Sequence, residues 1–177
     1  MKKLFSALLS VAALCAFAAE DILVYKADFS RKPNAGSGVW LAKGMEGKAE
    51  FTGKTMKITI DKNITQGKQG YTAGAQGLLL YTKALERDVK YEISFNIKAN
   101  KNVKIWASAV MAQAPWKAFK GEVVDLEANE VEDVDIDFVI PQSYTGKYVR
   151  ILYLGLGKSP DGTVYEISDV KLEKDVK

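Results

Sequence analysis

Three aspartates at alternate positions, Asp133, Asp135 and Asp137, have the type and spacing that hydrolytic chemistry could use. In an extended strand Asp133 and Asp137 share one face about 13 Å apart with Asp135 between them, and neighbouring pairs stand about 6 to 7 Å apart at the backbone. That spacing permits a two-carboxylate mechanism. It equally describes the charged solvent face of a strand, and this second reading is adopted, so no catalytic residue is assigned. Other catalytic classes fall to composition. The chain has no histidine, and its lone cysteine is Cys15 in a segment expected to be removed. Histidine bases, thiol nucleophiles, cysteine zinc sites and the serine-histidine-aspartate arrangement are therefore excluded from the mature chain.

The remaining chemistry is that of aromatic faces beside polar side chains. Trp106 is out of phase with Ile105, Ala107 and Ala109, the apolar face of its own strand. A turn at Asn100, Lys101 and Asn102 is expected to fold this strand back as a hairpin, bringing Trp106 across from Asn96 and Glu92. Either its ring is an exposed stacking face or a second layer covers it. Trp116 and Phe119 lie in a proline-marked connection, Ala114 to Phe119, and either face solvent for use or plug the end of the fold. Tyr71 stands in a polar glycine-rich loop, and Tyr81 ends a strand. Trp40 is assigned to the core. Arg150, the one charge in an otherwise apolar strand, either lines a polar cleft or pairs with a strand carboxylate.

The elements that must hold these residues are almost all strands. Period-2 alternation recurs between short breaks, and no helical periodicity appears beyond the N-terminal segment. Residues 89–98 set Tyr91, Ile93, Phe95 and Ile97 against Glu92, Ser94, Asn96 and Lys98. Residues 103–111 follow. Val134, Ile136, Phe138 and Ile140 alternate with the aspartates, residues 148–156 are apolar on both faces as in the middle of a covered sheet, and residues 163–172 close the chain. Shorter strands are expected at 22–28, 49–51, 56–60 and 77–81, and long loops at 31–48 and 61–77. About ten strands at this spacing indicate one antiparallel sandwich.

Residues 1–18 read as a cleavable signal peptide. Lys2 and Lys3 form the basic head, Leu4 to Phe17 form a 14-residue apolar stretch, and Ala16-Phe17-Ala18 offers small residues to the peptidase. The apolar run falls short of the roughly 18 to 20 residues that span a bilayer. Cleavage after Ala18 leaves residues 19–177 as a single domain, secreted or periplasmic, with no membrane attachment. Removal of Lys2 and Lys3 takes the 25 basic residues to 23 against 22 acidic, a balance that does not call for nucleic acid as a partner.

The order of landmarks resembles the jelly-roll carbohydrate-binding modules of secreted cellulases and xylanases, the families numbered four, nine and twenty-two. The resemblance is carried by Ala27-Asp28-Phe29 with Gly38-Val39-Trp40, by Tyr91 to Phe95 with Lys98-Ala99, by Leu126 through Phe138 to Pro141, and by Leu154 to Gly157 followed by Val164 to Leu172. It implies an all-β jelly-roll sandwich, galactose-binding-like, that binds a polysaccharide or oligosaccharide without catalysis. Sugar rings want aromatic faces ringed by hydrogen-bonding groups, and the expected binding residues are Trp106, Trp116, Tyr71, Tyr81, Asn96, Glu92 and Arg150. The same group often holds a structural calcium. Ser30 stands where an acidic residue would follow Phe29, and Ser168-Asp169 replaces a pair of aspartates, so no metal or other cofactor is expected. The Asp133 to Asp137 strand resembles the Glu-x-Asp-x-Glu strand of jelly-roll retaining glycosidases, with aspartate in place of both outer glutamates. An alternative of another class is an exported structural domain that holds a protein partner in the cell envelope.

Overall fold

A computed structural model describes residues 21–65 and 70–175, so the expected signal peptide lies outside the described residues. Every regular element among the described residues is a strand, and every strand pairing is antiparallel. In chain order the strands are β1 (Ile22–Lys26), β2 (Gly38–Leu41), β3 (Glu46–Phe51), β4 (Thr55–Lys62), β5 (Ala75–Tyr81), β6 (Lys90–Ala99), β7 (Val103–Met111), β8 (Ala118–Leu126), β9 (Val131–Val139), β10 (Val149–Gly155) and β11 (Thr163–Lys174).

They form two sheets. One runs β3-β4-β11-β6-β9, with β1 beside the C-terminal part of β11, and the other runs β2-β5-β10-β7-β8. Alternation dictates how they meet. Along β6 the residues Tyr91, Ile93, Phe95 and Ile97 are buried while the residues between them are not. They pack with Ile58 and Ile167 of the same sheet and with Leu79, Ile105, Ala107, Leu152 and Leu154 of the other in one continuous core. An aromatic chain closes one end. Phe138 stacks on Tyr91 at 5.8 Å and on Phe119 at 6.1 Å between ring centres, and Phe119 meets Tyr144 edge-on at 5.3 Å.

The expected hairpin between residues 89–98 and 103–111 does not form. β6 pairs with β11 and β9, whereas β7 pairs with β10 and β8, so the short turn after Ala99 carries the chain from one sheet to the other. Alternation fixes which face of a strand is buried and leaves its partner open, and a step between stacked sheets about 10 Å apart needs no longer a loop than a hairpin does. Two strands fall outside the expected set. β2 lies within the expected loop 31–48, and β8 carries Gly121 and an irregular register that blur its alternation.

Candidate functional site

The outer face of the five-stranded sheet is where unclaimed aromatics gather. The register aligns Trp40 of β2, Gln76 of β5, Gly155 of β10, Trp106 of β7 and Val123 of β8 in one row across the strands. The adjacent row holds Leu78, Tyr153, Ser108 and Gly121. With strands about 4.8 Å apart, Trp40 and Trp106 stand about 14 Å apart across three strand spacings.

A bulge in β10 completes the arrangement. Arg150 pairs with Leu80 and Tyr153 with Leu78, so three steps along β10 match two along β5, and the same offset recurs against β7. Residues three apart on a regular strand face opposite ways, and the extra residue brings Arg150 and Tyr153 onto the same face. There Tyr153, Leu78 and Val110 form a small buried cluster of their own, separate from the main core, with Trp106 packed against it. Gly121 leaves room for this ring: a methyl group on it would meet the Cβ of Ser108 and come within 2.7 Å of the Trp106 Cζ2.

Trp116 reaches the same face from the connection between β7 and β8. Its N–H donates to the Gln113 carbonyl at 3.0 Å, Met111 N–H donates to the Lys117 carbonyl at 2.9 Å, and Trp116 itself is left-handed with φ of 56°. That conformation is uncommon for a bulky residue. The ring is 52% exposed and covers the Arg150 guanidinium, whose carbon lies 4.5 Å from the ring centre. Trp40, Gln76, Leu78, Trp116, Arg150 and Tyr153 together line a groove of about 360 Å³. Burial pulls the Arg150 guanidinium below its ordinary value, opposed by the Tyr153 and Tyr144 hydroxyls, and burial raises the Tyr153 hydroxyl.

Beyond Trp106 a second hollow is lined by Tyr71, Asn102, Lys104, Asp125 and Lys158. Lys104 pairs with Asp125, and the Lys158 ammonium lies 4.3 Å from the centre of the Tyr71 ring. The 156–162 turn is anchored here. The buried Asn63 amide donates to the carbonyls of Gly157 at 3.0 Å and Ser159 at 2.7 Å, and Gly157 N–H donates to the Tyr71 carbonyl at 2.7 Å.

The residues singled out from sequence thus divide. Trp116 and Arg150 line the groove, Trp106 lies beside it and Tyr71 at the second hollow. Tyr81 is buried in the main core against Tyr25, with ring centres 5.5 Å apart. Asn96 and Glu92 are on the outer face of the other sheet, paired with Asp133 and Asp137 of β9, so they do not neighbour Trp106. Phe119 is the aromatic that plugs the sandwich end, and Trp116 is not. Trp40 corrects an expectation: it is 49% exposed and lines the groove, because Val39 and Leu41 supply the inward side chains of β2. Gln76 and Tyr153 were missed. Gln76 is polar between two small buried residues, a signal present in the alternation of β5, whereas Tyr153 depends on the bulge.

On the opposite sheet Asp133, Asp135 and Asp137 are exposed, and Asp137 pairs with Lys90 at 2.9 Å. Burial, then the charges of Asp135, Asp137 and Glu173, raises the Glu92 carboxyl. At the place where the resemblance implies calcium, a hollow is lined by Asp28 and Asp169 together with Lys26 and Lys54. Asp28 already accepts from Ser30 N–H at 2.9 Å and Ser30 Oγ at 3.0 Å, which lowers its carboxyl. Two carboxylates, one of them already accepting twice from Ser30, fall short of the six to eight oxygens that a hard dication wants.

No family model and no curated protein matches the sequence. Solved structures do match. One described as "CBM4 structure and function" superposes with a TM-score of 0.62 at 21% identity, covering 77% of this chain and 85% of its own. The N-terminal cellulose-binding domain of a Cellulomonas fimi β-1,4-glucanase gives 0.59 at 18% identity over 84% and 94%. A xylan-binding domain from Paenibacillus barcinonensis gives 0.53 at 12% identity over 87% and 95%. The chain has the jelly-roll β-sandwich fold of the carbohydrate-binding modules.

Proposed function

We propose that the chain is an exported, non-catalytic glycan-binding domain that lays a polysaccharide or oligosaccharide along the outer face of the five-stranded sheet. The observation that carries the reading is the groove between Trp40 and Trp116, two tryptophans about half exposed, with Tyr153, Gln76 and Arg150 between them. Apolar side chains exposed singly are ordinary, whereas two tryptophans gathered with Leu78 and Tyr153 at one groove have the character of a binding surface. Indole faces stack on the C–H patches of a sugar ring, and the Gln76 amide and Arg150 guanidinium can exchange hydrogen bonds with its hydroxyls. The folds described as cellulose-binding and xylan-binding support the same reading. Export rests on the signal peptide read at residues 1–18, with residues 19–177 as the one domain.

Single substitutions test the groove. Trp40→Ala and Trp116→Ala are each expected to cost about 0.5 to 1.5 kcal/mol of stability, below the roughly 3 to 5 of a buried tryptophan, because both side chains are half exposed. Each is expected to weaken glycan binding by about 1 to 3 kcal/mol, the scale of a lost aromatic contact. Calorimetric titration against a glycan panel, with thermal melts of the same proteins, measures both. Unchanged affinity in both variants would remove the groove from the site.

A further inference from the structure

Of the three arginines, Arg150 is the partly buried one whose charge meets no acceptor among the described residues, Arg31 being exposed. Lys48, Lys62, Lys90, Lys98, Lys104 and Lys174 each have a carboxylate within ion-pair distance. Arg87 donates to the carbonyls of Leu85 and Gly146. Arg150 is partly buried, and among the described residues its guanidinium has neither a carboxylate partner nor a hydrogen-bond acceptor. It contacts the face of Trp116 instead, which leaves the N–H groups at its edge unspent. A stacked guanidinium keeps its in-plane donors free for a planar or tetrahedral anion.

The groove around it reinforces this. Its lining contains one formal positive charge and no negative one, and its walls are the apolar bodies of Trp40, Leu78, Trp116 and Tyr153. Low-dielectric walls strengthen the field of a charge inside them. Burial disfavours the arginine's own charge, so an arriving anion would offset a cost the free protein carries. At the second hollow on this face, Lys158 lies over Tyr71 in a similar cation and aromatic pair.

We propose that the glycan bound in this groove is acidic, its carboxylate or sulfate ester meeting the Arg150 guanidinium while its ring lies against the tryptophans. The inference rests on the glycan-binding reading above and adds the class of sugar. Uronate-containing and sulfate-bearing polymers present the same chemistry to the guanidinium, one negative charge shared by two or three equivalent oxygens, two of which can be met side by side by two N–H groups.

The experiment titrates the mature protein with four kinds of oligosaccharide: uronate-containing, the same material after chemical reduction of its carboxyl groups, sulfated, and neutral β-glucan or xylan. The uronate or the sulfated material is expected to bind about tenfold or more tighter than its uncharged counterpart, with the advantage shrinking between ~0.02 and ~0.5 M salt. Preference for uronate over its reduced form assigns the anion as carboxylate, and preference for the sulfated polymer alone assigns it as sulfate. Arg150→Gln should cost the charged forms about tenfold more affinity than the uncharged ones and so abolish the advantage, with a thermal melt reporting that the variant is folded; Arg150→Lys should retain part of it. Equal affinity for charged and uncharged forms, or an equal loss for both in Arg150→Gln, overturns the acidic assignment and leaves glycan binding standing. Failure of every oligosaccharide to bind overturns both.

Discussion

Trp106 shows how one side chain's role depends on what lies beneath it. It is out of phase with the inner face of β7, as its neighbours in sequence indicate, yet it is neither bare nor in the main core: it rests against Leu78, Val110 and Tyr153 and over Gly121. Gly121→Ala is therefore expected to act on the site at a distance. The added methyl would press on the Cβ of Ser108 and the Ala107 carbonyl, neither of which can swing away, as well as on the indole. A cost of about 1 to 3 kcal/mol is expected from such overpacking, a fall in melting temperature of about 2 to 10 °C for a chain of this size. A near-ultraviolet dichroism change from the displaced indole should accompany it. A variant with wild-type melting and spectrum would show that Trp106 is not seated on the glycine. Residue type alone made Trp116 and Arg150 legible: an aromatic in a proline-marked connection and a lone charge in an apolar strand. Trp40 was misread because Val39-Trp40-Leu41 is a short apolar run, and only the partner strand decides which of its faces is inward.

The strands themselves were largely readable, since period-2 alternation is a local property, and β4, β6, β7, β9 and β11 follow it. Pairing is not local, and the misassigned hairpin cost the site its supposed neighbours. Asn96 and Glu92 belong to a different neighbourhood, where β6 meets β9 and β11. Glu92 sits opposite Asp137 on one side and Glu173 on the other. Its raised carboxyl has a definite sign for stability. A folded value above the unfolded one means that the folded chain holds its proton to higher pH. Stability is lost as pH rises from the unfolded value through the folded one, and stays lower above that window. Glu92→Gln is accordingly expected to raise the melting temperature at neutral pH by about 1 to 3 °C, on the scale of a relieved like-charge pair. The gain should vanish well below the carboxylate range, where the wild-type residue is itself neutral. Melts of both proteins across pH 3 to 8 check this; a gain of the same size at both extremes would assign the effect to packing.

At the scale of the whole molecule, a single large core between two sheets holds the described residues, among which there is no cysteine. Metal is not expected to add to that stability. Asp28 spends its carboxylate on Ser30, and Lys26 and Lys54 stand at the hollow it shares with Asp169. Excess chelator should shift the melting temperature by less than about 2 °C, whereas loss of a bound structural ion held well above its dissociation constant would cost about 3 to 4 kcal/mol and a far larger shift. A fall of many degrees on adding chelator would show that this hollow does hold an ion. The global fold was legible because a sandwich of this kind is announced by the number and spacing of its strands. Which outer face carries the candidate site was not, since both sheets present alternating outward side chains and only the assembled molecule shows that aromatics gather on one and carboxylates on the other.

The swelling of β10 by one residue gives this face an unusual genetic grammar. Arg150 and Tyr153 stand three apart in sequence and still share a side because the strand is one residue longer than its neighbours require, so their spacing reports the bulge. Deleting Ile151, a fully buried aliphatic, would remove the bulge and leave arginine and tyrosine two apart in a regular strand, still on one side, with Leu152 alone inward between them. The shortened protein is expected to keep both side chains at the groove and to lose about 2 to 5 kcal/mol with the buried aliphatic, read as a lowered melting temperature with glycan binding retained. Inserting a further residue at this point should do the reverse, turning one of the two side chains to the other side of the sheet.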